Sequence, residues 1–234
     1  MKVFSLFLVL VLYTTLLGGV LLEDDFSDGN DDGWLKWTEG YASNASYEVA
    51  EGEYHLMNSG PGWIPAASHT GDLANGTMSS SDYSILVKVT PEACYRAGIL
   101  ARGFMPSFTG YILVMIPSEN KLVLSKMMST GPQTLDLTTV PLQYGQAYWL
   151  RLTLEGTSIQ GKVWQGSVAD EPSGWMVETV DGQYQNPGRI GAFCCNFSSD
   201  SKALTSVYYD DVLVTSDQGS LLAVSWAHIK VTVD

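Results

Sequence analysis

The chain is short of three kinds of residue, and each shortage excludes a class of function. It carries 12 Lys and Arg against 25 Asp and Glu, a formal net charge of −13. No cluster of basic residues offsets that balance locally, so phosphate backbones and anionic membrane surfaces are repelled; nucleic acid is not an expected partner. Three cysteines, Cys94, Cys194 and Cys195, are too few for a disulfide framework. One bridge from Cys94 to either member of the vicinal pair fits the count, and so do three small buried hydrophobes. Three histidines, His55, His69 and His228, lack the His-x-x-x-His and His-Glu-x-x-His spacings of transition-metal sites. A Gly-x-Ser-x-Gly nucleophile turn and a glycine-rich phosphate loop are missing as well.

Helical periodicity is scarce too. Beyond the N-terminus no stretch keeps a 3.6-residue apolar period over three turns, whereas alternation with period two recurs throughout. Residues 83–89 place Tyr83, Ile85, Val87 and Val89 on one face. Similar runs occupy 97–102, 111–116, 121–126, 148–154, 159–164, 189–193 and 207–214. Turn signals separate them: residues 117–120 (Pro-Ser-Glu-Asn), Glu155-Gly156, Asp181-Gly182 and residues 186–188 (Asn-Pro-Gly). Many short strands with a turn about every ten residues predict an all-β, antiparallel β-sandwich in one domain. With 45% apolar residues, the chain has the material for a core of that size.

Residues 3–22 form an uncharged apolar run after Met1-Lys2, with small residues at Gly18-Gly19. That pattern predicts a secretory signal peptide, or an uncleaved signal-anchor, over residues 1–22, which would be the chain's contact with a membrane. The protein is therefore expected to be secreted or on the cell surface. Glycosylation sequons at Asn44, Asn75 and Asn196 agree with export.

The order of the strands resembles a family. Residues 23–37 (EDDFSDGNDDGWLKW) resemble the acidic, Trp-containing opening of laminin-G/concanavalin A-like modules. Residues 46–57 are similar to their second strand pair, with Glu51-Gly52 at the hairpin. Residues 97–102, 111–113 and 122–126 match the central hairpin, and 144–164 the Trp-x-Leu-Arg strand, Glu-Gly turn and Lys-Val-Trp strand. Residues 188–191 and 209–214 match the closing pair. The resemblance spans residues 23–215 and implies a jelly roll, an architecture shared by lectins, carbohydrate-binding modules, glycanases and adhesion domains.

Glycanases of that architecture place two carboxylates on one strand face. The nearest patterns here are Glu23-x-Asp25-x-x-Asp28, which lacks the last Glu of the family-16 motif, and Glu51 with Glu53 across a hairpin tip. Neither makes a catalytic set, so no catalytic residue is assigned. For a structural calcium, the resemblance implies Asp25 or Asp28 with Asp210 or Asp211, because first and last strands are neighbours in such folds. Sugar contacts are expected from aromatic faces and planar polar groups. Trp63, between Pro61 and Pro65, is the most exposed candidate by sequence; Arg102 and Tyr111 face each other across the central hairpin in the resemblance. Trp149, in a strongly apolar strand, reads as core.

Residues 216–234 continue past the family's usual end. From Ser220 the alternation is apolar on both faces: Leu222, Val224 and Trp226 on one, Ile229, Val231 and Val233 on the other. Such a strand must extend the sheet, pack over it, or pair with another chain. Three functions stay open: a non-catalytic extracellular carbohydrate-binding (lectin-like) or adhesion module; a structural subunit, with homo-oligomer contacts through residues 220–234; and a glycan-active hydrolase.

Overall fold

The computed structural model describes residues 19–37, 44–59, 64–105, 107–196 and 204–216. Residues 1–18, with most of the expected signal segment, and residues 217–234, with the extra C-terminal strand, lie outside these. The described residues form strands separated by turns. In chain order these are β1 (Val20–Asp24), β2 (Leu35–Lys36), β3 (Ala45–Ala50), β4 (Glu53–Ser59) and β5 (Ile64–Thr70). The central set is β6 (Tyr83–Ala93), β7 (Arg96–Phe104), β8 (Thr109–Ile116), β9 (Lys121–Met128) and β10 (Gly131–Thr139). Last come β11 (Tyr148–Glu155), β12 (Ser158–Trp164), β13 (Val177–Val180), β14 (Arg189–Asn196) and β15 (Leu204–Thr215).

The strands make two antiparallel sheets. The first has the order β13-β12-β11-β6-β15-β4-β3, with β1 alongside β15; the second is β10-β9-β8-β7-β14-β5-β2. Every alternating run between residues 83 and 214 became a strand. Composition did not signal β2, β5, β10 or β13; of these β10 and β13 are polar and at sheet edges, where one-sided solvent contact erases the apolar signal. The Glu51-Gly52 tip is a two-residue hairpin with both residues at positive φ (55° and 82°), the geometry that matches strand twist.

Between the sheets lies the main core. Tyr83, Ile85, Val87 and Val89 of β6 share it with Ile99 of β7, Leu113 and Met115 of β8 and Leu150, Leu152 and Leu154 of β11. Near its rim Phe26, Trp34 and Tyr54 pack ring against ring at 5.1–5.8 Å. Trp34 is fixed there by donating its indole N–H to Asp24 at 2.7 Å. Trp149 belongs elsewhere. It lies with Trp164, Leu86 and Leu213 in a separate small cluster rather than in the main core.

The second sheet is apolar on its other face as well. Leu100, Ile112, Val114, Ile116, Val123, Met127, Phe193 and Cys195 form a second buried layer. Cys94 and Cys194 sit in the main core and Cys195 in this layer; all three are buried and outside any disulfide, the hydrophobe reading of the sequence. Burial pushes the Cys94 and Cys194 thiols well above their usual range, so neither is a ready nucleophile.

Strand β1 begins at Val20, so Val20 to Leu22 belong to the sheet although their apolar character assigns them to the signal segment. Pairing with Val214 and Thr215, and packing of Leu21 and Leu22 on the core, holds them. A processed chain that starts at Gly19 should therefore keep full stability. One that starts at Asp25 should lose about 2–4 kcal/mol in urea unfolding; equal midpoints would show that β1 contributes nothing.

Candidate functional site

At one end of the sandwich β7 bulges, and the bulge aims Arg102 inward. Arg102 has φ 45°, and the β7–β8 register shifts between Ala101 and Phe104. Its backbone N–H donates to the Tyr83 hydroxyl at 2.6 Å. The guanidinium donates to the carbonyls of Ser81, Gly156 and Tyr184 and to the Asp82 carboxylate, at 2.8–3.1 Å. Tyr111, paired with Ala101, donates its hydroxyl to Asp181 at 2.6 Å, and Lys126 binds the same carboxylate at 2.6 Å. Arg102 is 3% exposed and Tyr111 0%. The fold thus brings both residues to one end, as neighbours in the central hairpin, but their polar edges are spent on protein. We reassign them from ligand contacts to ties that close this end, a role hidden in the sequence because the bulge reverses the strand alternation.

Burial opposes ionisation of Asp181, but hydrogen bonds from Lys126, Tyr111 and the Gln183 N–H outweigh it and hold the carboxyl below its ordinary range. Its stabilisation is complete above the unfolded carboxyl pKa and is lost as pH falls through the lower folded one. Asp181→Asn should cost about 1–3 kcal/mol at neutral pH, shrinking towards pH 2; a pH-independent loss would mean the charge is irrelevant.

The four acidic residues expected to hold calcium are only partly assembled. β1 and β15 are neighbours, as the resemblance implies. Asp25 and Asp211 come close enough that Asp25 raises the pKa of Asp211. Asp210, however, is engaged by Lys88 at 2.9 Å, and Asp28 caps its own turn by accepting from the Asn30 N–H. Among the described residues no group of three or more Asp, Glu, His or Cys gathers as a cation would require. The donor set does not fit a calcium ion, and a chelator should leave the melting midpoint unchanged; a fall of several degrees would show that the loop carboxylates regroup around one.

Asp211 itself sits at φ 51° in a β15 bulge. Burial, then Asp210, Asp25 and Glu53, lift its carboxyl above the ordinary range. The sign is opposite to that of Asp181: stability is present below the unfolded pKa and is lost as pH rises through the folded one. Asp211→Asn, which tolerates the same φ, should raise the neutral-pH melting temperature by about 1–3 °C, with the gain absent at pH 3.

The two described histidines are held by protein contacts. His69 accepts from Arg189 at 3.0 Å, and burial, then the guanidinium, lowers its pKa to about 4. His55 bonds Ser206 at 2.8 Å and stacks on Tyr208. His228 and Trp63 lie outside the described residues. Of the sequons, Asn44 and Asn75 are exposed, and Asn196, at the end of β14, is half-buried.

Asn196 leads to the concave feature of interest. A cleft of about 450 Å³ opens at the other end of the sandwich, lined by Glu92, Ala93, Cys94, Tyr95, Ser118, Tyr144, Asn196 and Leu204. Three connections and two strand ends converge there: the β6–β7 turn, the 3-10 turn Pro117–Glu119, the loop before β11, the end of β14 and the start of β15. Tyr144 is 44% exposed and is anchored by donating its hydroxyl to the Cys94 carbonyl at 2.8 Å. Tyr95 is held by donation to Glu119 at 2.6 Å and by Arg96 over its ring. The cleft therefore offers two positioned aromatic rings together with the exposed Glu92 carboxylate, the Ser118 hydroxyl beside Tyr144, and the Asn196 amide, which donates to the Leu204 carbonyl. Sequence reasoning missed it because its residues are far apart in the chain and none forms a motif.

No protein-family model matches the chain, and no curated protein matches it in sequence. Solved structures do match in shape. The carbohydrate-binding module CBM66 from Bacillus subtilis aligns over 80% of this chain and 98% of its own, at 12% identity and TM-score 0.60. SCLam, a non-specific endo-β-1,3(4)-glucanase of family GH16, aligns over 84% and 90%, at 10% identity and TM-score 0.56. The exoplasmic/lumenal domain of VIP36, in a Ca2+/Man3GlcNAc-bound form, aligns over 86% and 91%, at 7% identity and TM-score 0.56. The likeness shows the fold: an antiparallel jelly-roll β-sandwich of the kind seen in this carbohydrate-binding module, this glucanase and this lumenal domain.

Proposed function

We propose that this chain is an extracellular, non-catalytic carbohydrate-binding module whose ligand occupies the end cleft. The observation that carries this reading is the pair of anchored tyrosines, Tyr95 and Tyr144, in a cleft that also presents Glu92, Ser118 and Asn196. Sugars expose C–H faces that settle on aromatic rings and hydroxyls that need planar or hydroxylic partners. A carbohydrate-binding module and a Man3GlcNAc-bound lumenal domain among the structures of similar shape support the same ligand class. Binding without hydrolysis is proposed because hydrolysis needs two carboxylates flanking one bond. Glu92 lines the cleft, while Glu119, next to the lining residue Ser118, is occupied by Lys121 and Tyr95.

A glycan array with the intact exported chain identifies the ligand, and titration of cleft variants then locates it. Tyr144→Phe should bind within about twofold of the native chain, because the ring remains. Tyr144→Ala should weaken binding about tenfold or more, roughly 1.4 kcal/mol. Equal affinity of all three would place the sugar elsewhere, and hydrolysis of the bound glycan that is lost in Glu92→Gln would replace the non-catalytic reading.

A further inference from the structure

The second sheet poses a problem that its own strands leave open. The first sheet covers one of its faces. The other bears Leu100, Ile112, Val114, Ile116, Val123, Met127, Phe193 and Cys195, all between 0% and 4% exposed. Among the described residues, Trp37, Tyr95 and Met105 are the partly buried hydrophobics that pack on this layer, and no strand lies over it. The face is also flat along one line. Gly98 stands between Val114 and Phe193 in register, and Gly191 lies opposite Leu100. Two buried polar atoms on this side have no hydrogen-bond partner. They are the Ser125 hydroxyl, on the residue opposite Ile112, and the indole N–H of Trp37, which stacks on Phe108 at 4.8 Å. Buried donors without partners cost about 1–3 kcal/mol each, so this arrangement calls for something bearing acceptors.

We propose that this face is the docking site of the chain's own C-terminal segment, residues 221–233, which closes it as a third layer. Chain length and exit point favour this occupant. β15 ends in the first sheet, where the Ser216 N–H donates to the Gly19 carbonyl at 2.9 Å. Residues 217–220 (Asp-Gln-Gly-Ser) form a polar spacer that reaches up to ~13 Å when extended. Packed sheets are ~10 Å apart, so the spacer carries the chain to the rim of the second sheet. The alternating apolar run begins there, at Leu221, and is long enough to cross all the buried rows. Its backbone carbonyls would supply the acceptors that Ser125 and Trp37 lack. The apolar N-terminal run leaves from the same place but has no such spacer, since Gly18 alone separates Leu17 from Gly19. The cleft lies at the opposite end of β15, and Tyr95, which packs on this layer and also lines the cleft, is the residue that the two readings share.

Diazirine analogues of leucine and methionine replace the native side chains almost isosterically, so they test the proposal without disturbing the fold. In the exported full-length chain, ultraviolet activation should link Leu100, Met105 or Met127 to residues 221–233 of the same molecule. Links to residues 3–17, links between isotopically distinct copies, or no links from this face would each overturn it. A chain ending at Ser216 should gain several-fold fluorescence of a hydrophobic dye and self-associate. Unchanged dye binding in a truncated chain that still folds would also overturn the proposal.

Discussion

Strands β7, β8 and β9 are apolar on both faces, and that two-sided burial is the constraint to which the rest of the structure answers. A sheet with Leu113 and Met115 turned one way and Ile112 and Val114 the other cannot present either side to water without losing roughly 1.5–3 kcal/mol per large side chain. One side is met by the first sheet across the main core. The other is filled by a second apolar layer, so the broad face of this sheet is not available as a polar platform for a ligand. Binding chemistry is pushed to the ends of the sandwich, where connections rather than strand faces supply the side chains.

The two ends are built differently. At one, the bulge at Arg102 turns a charged side chain inward, and its guanidinium gathers four acceptors from three connecting segments, while Tyr111 and Lys126 share Asp181. All of that polarity is consumed by the protein, and the result is a closed, rigid end. At the other, Tyr144 is tied to the Cys94 carbonyl and to Ser118 yet stays exposed, and Tyr95 is tied to Glu119 and partly buried, with Glu92, Ser118 and Asn196 around them. A closed end and an open one on the same sandwich give the molecule a direction, with Gly19 and Ser216 meeting on the closed side.

Much of the fold was legible in the sequence because alternation reports burial directly. The runs at 83–89, 111–116 and 148–154 carried both their strand state and their core residues. The uninterrupted apolar character of 111–116 even foreshadowed burial on two faces. Edge strands β10 and β13 were hidden because half of their residues face water. Trp149 is buried, as its apolar strand suggests, but alternation does not say which of the strand's two sides meets the main core, and Trp149 falls in the small separate cluster. The site was less legible. Asp210 has a lysine across the ladder, Arg102 sits on a bulge, and Tyr95 and Tyr144 meet through a loop; each depends on contacts remote in sequence that no spacing encodes.

The account stands on the closure of the second sheet's outer face, and one substitution tests it most directly. Val114→Thr keeps the shape of the side chain and adds one hydroxyl. On a face closed to water it should cost about 1–3 kcal/mol in equilibrium unfolding of the full chain, much as the same change would at a core position of β6 such as Val87. A change within a few tenths of a kcal/mol, with Val87→Thr still costly, would mean that the face is open to solvent and that the constraint described here does not hold.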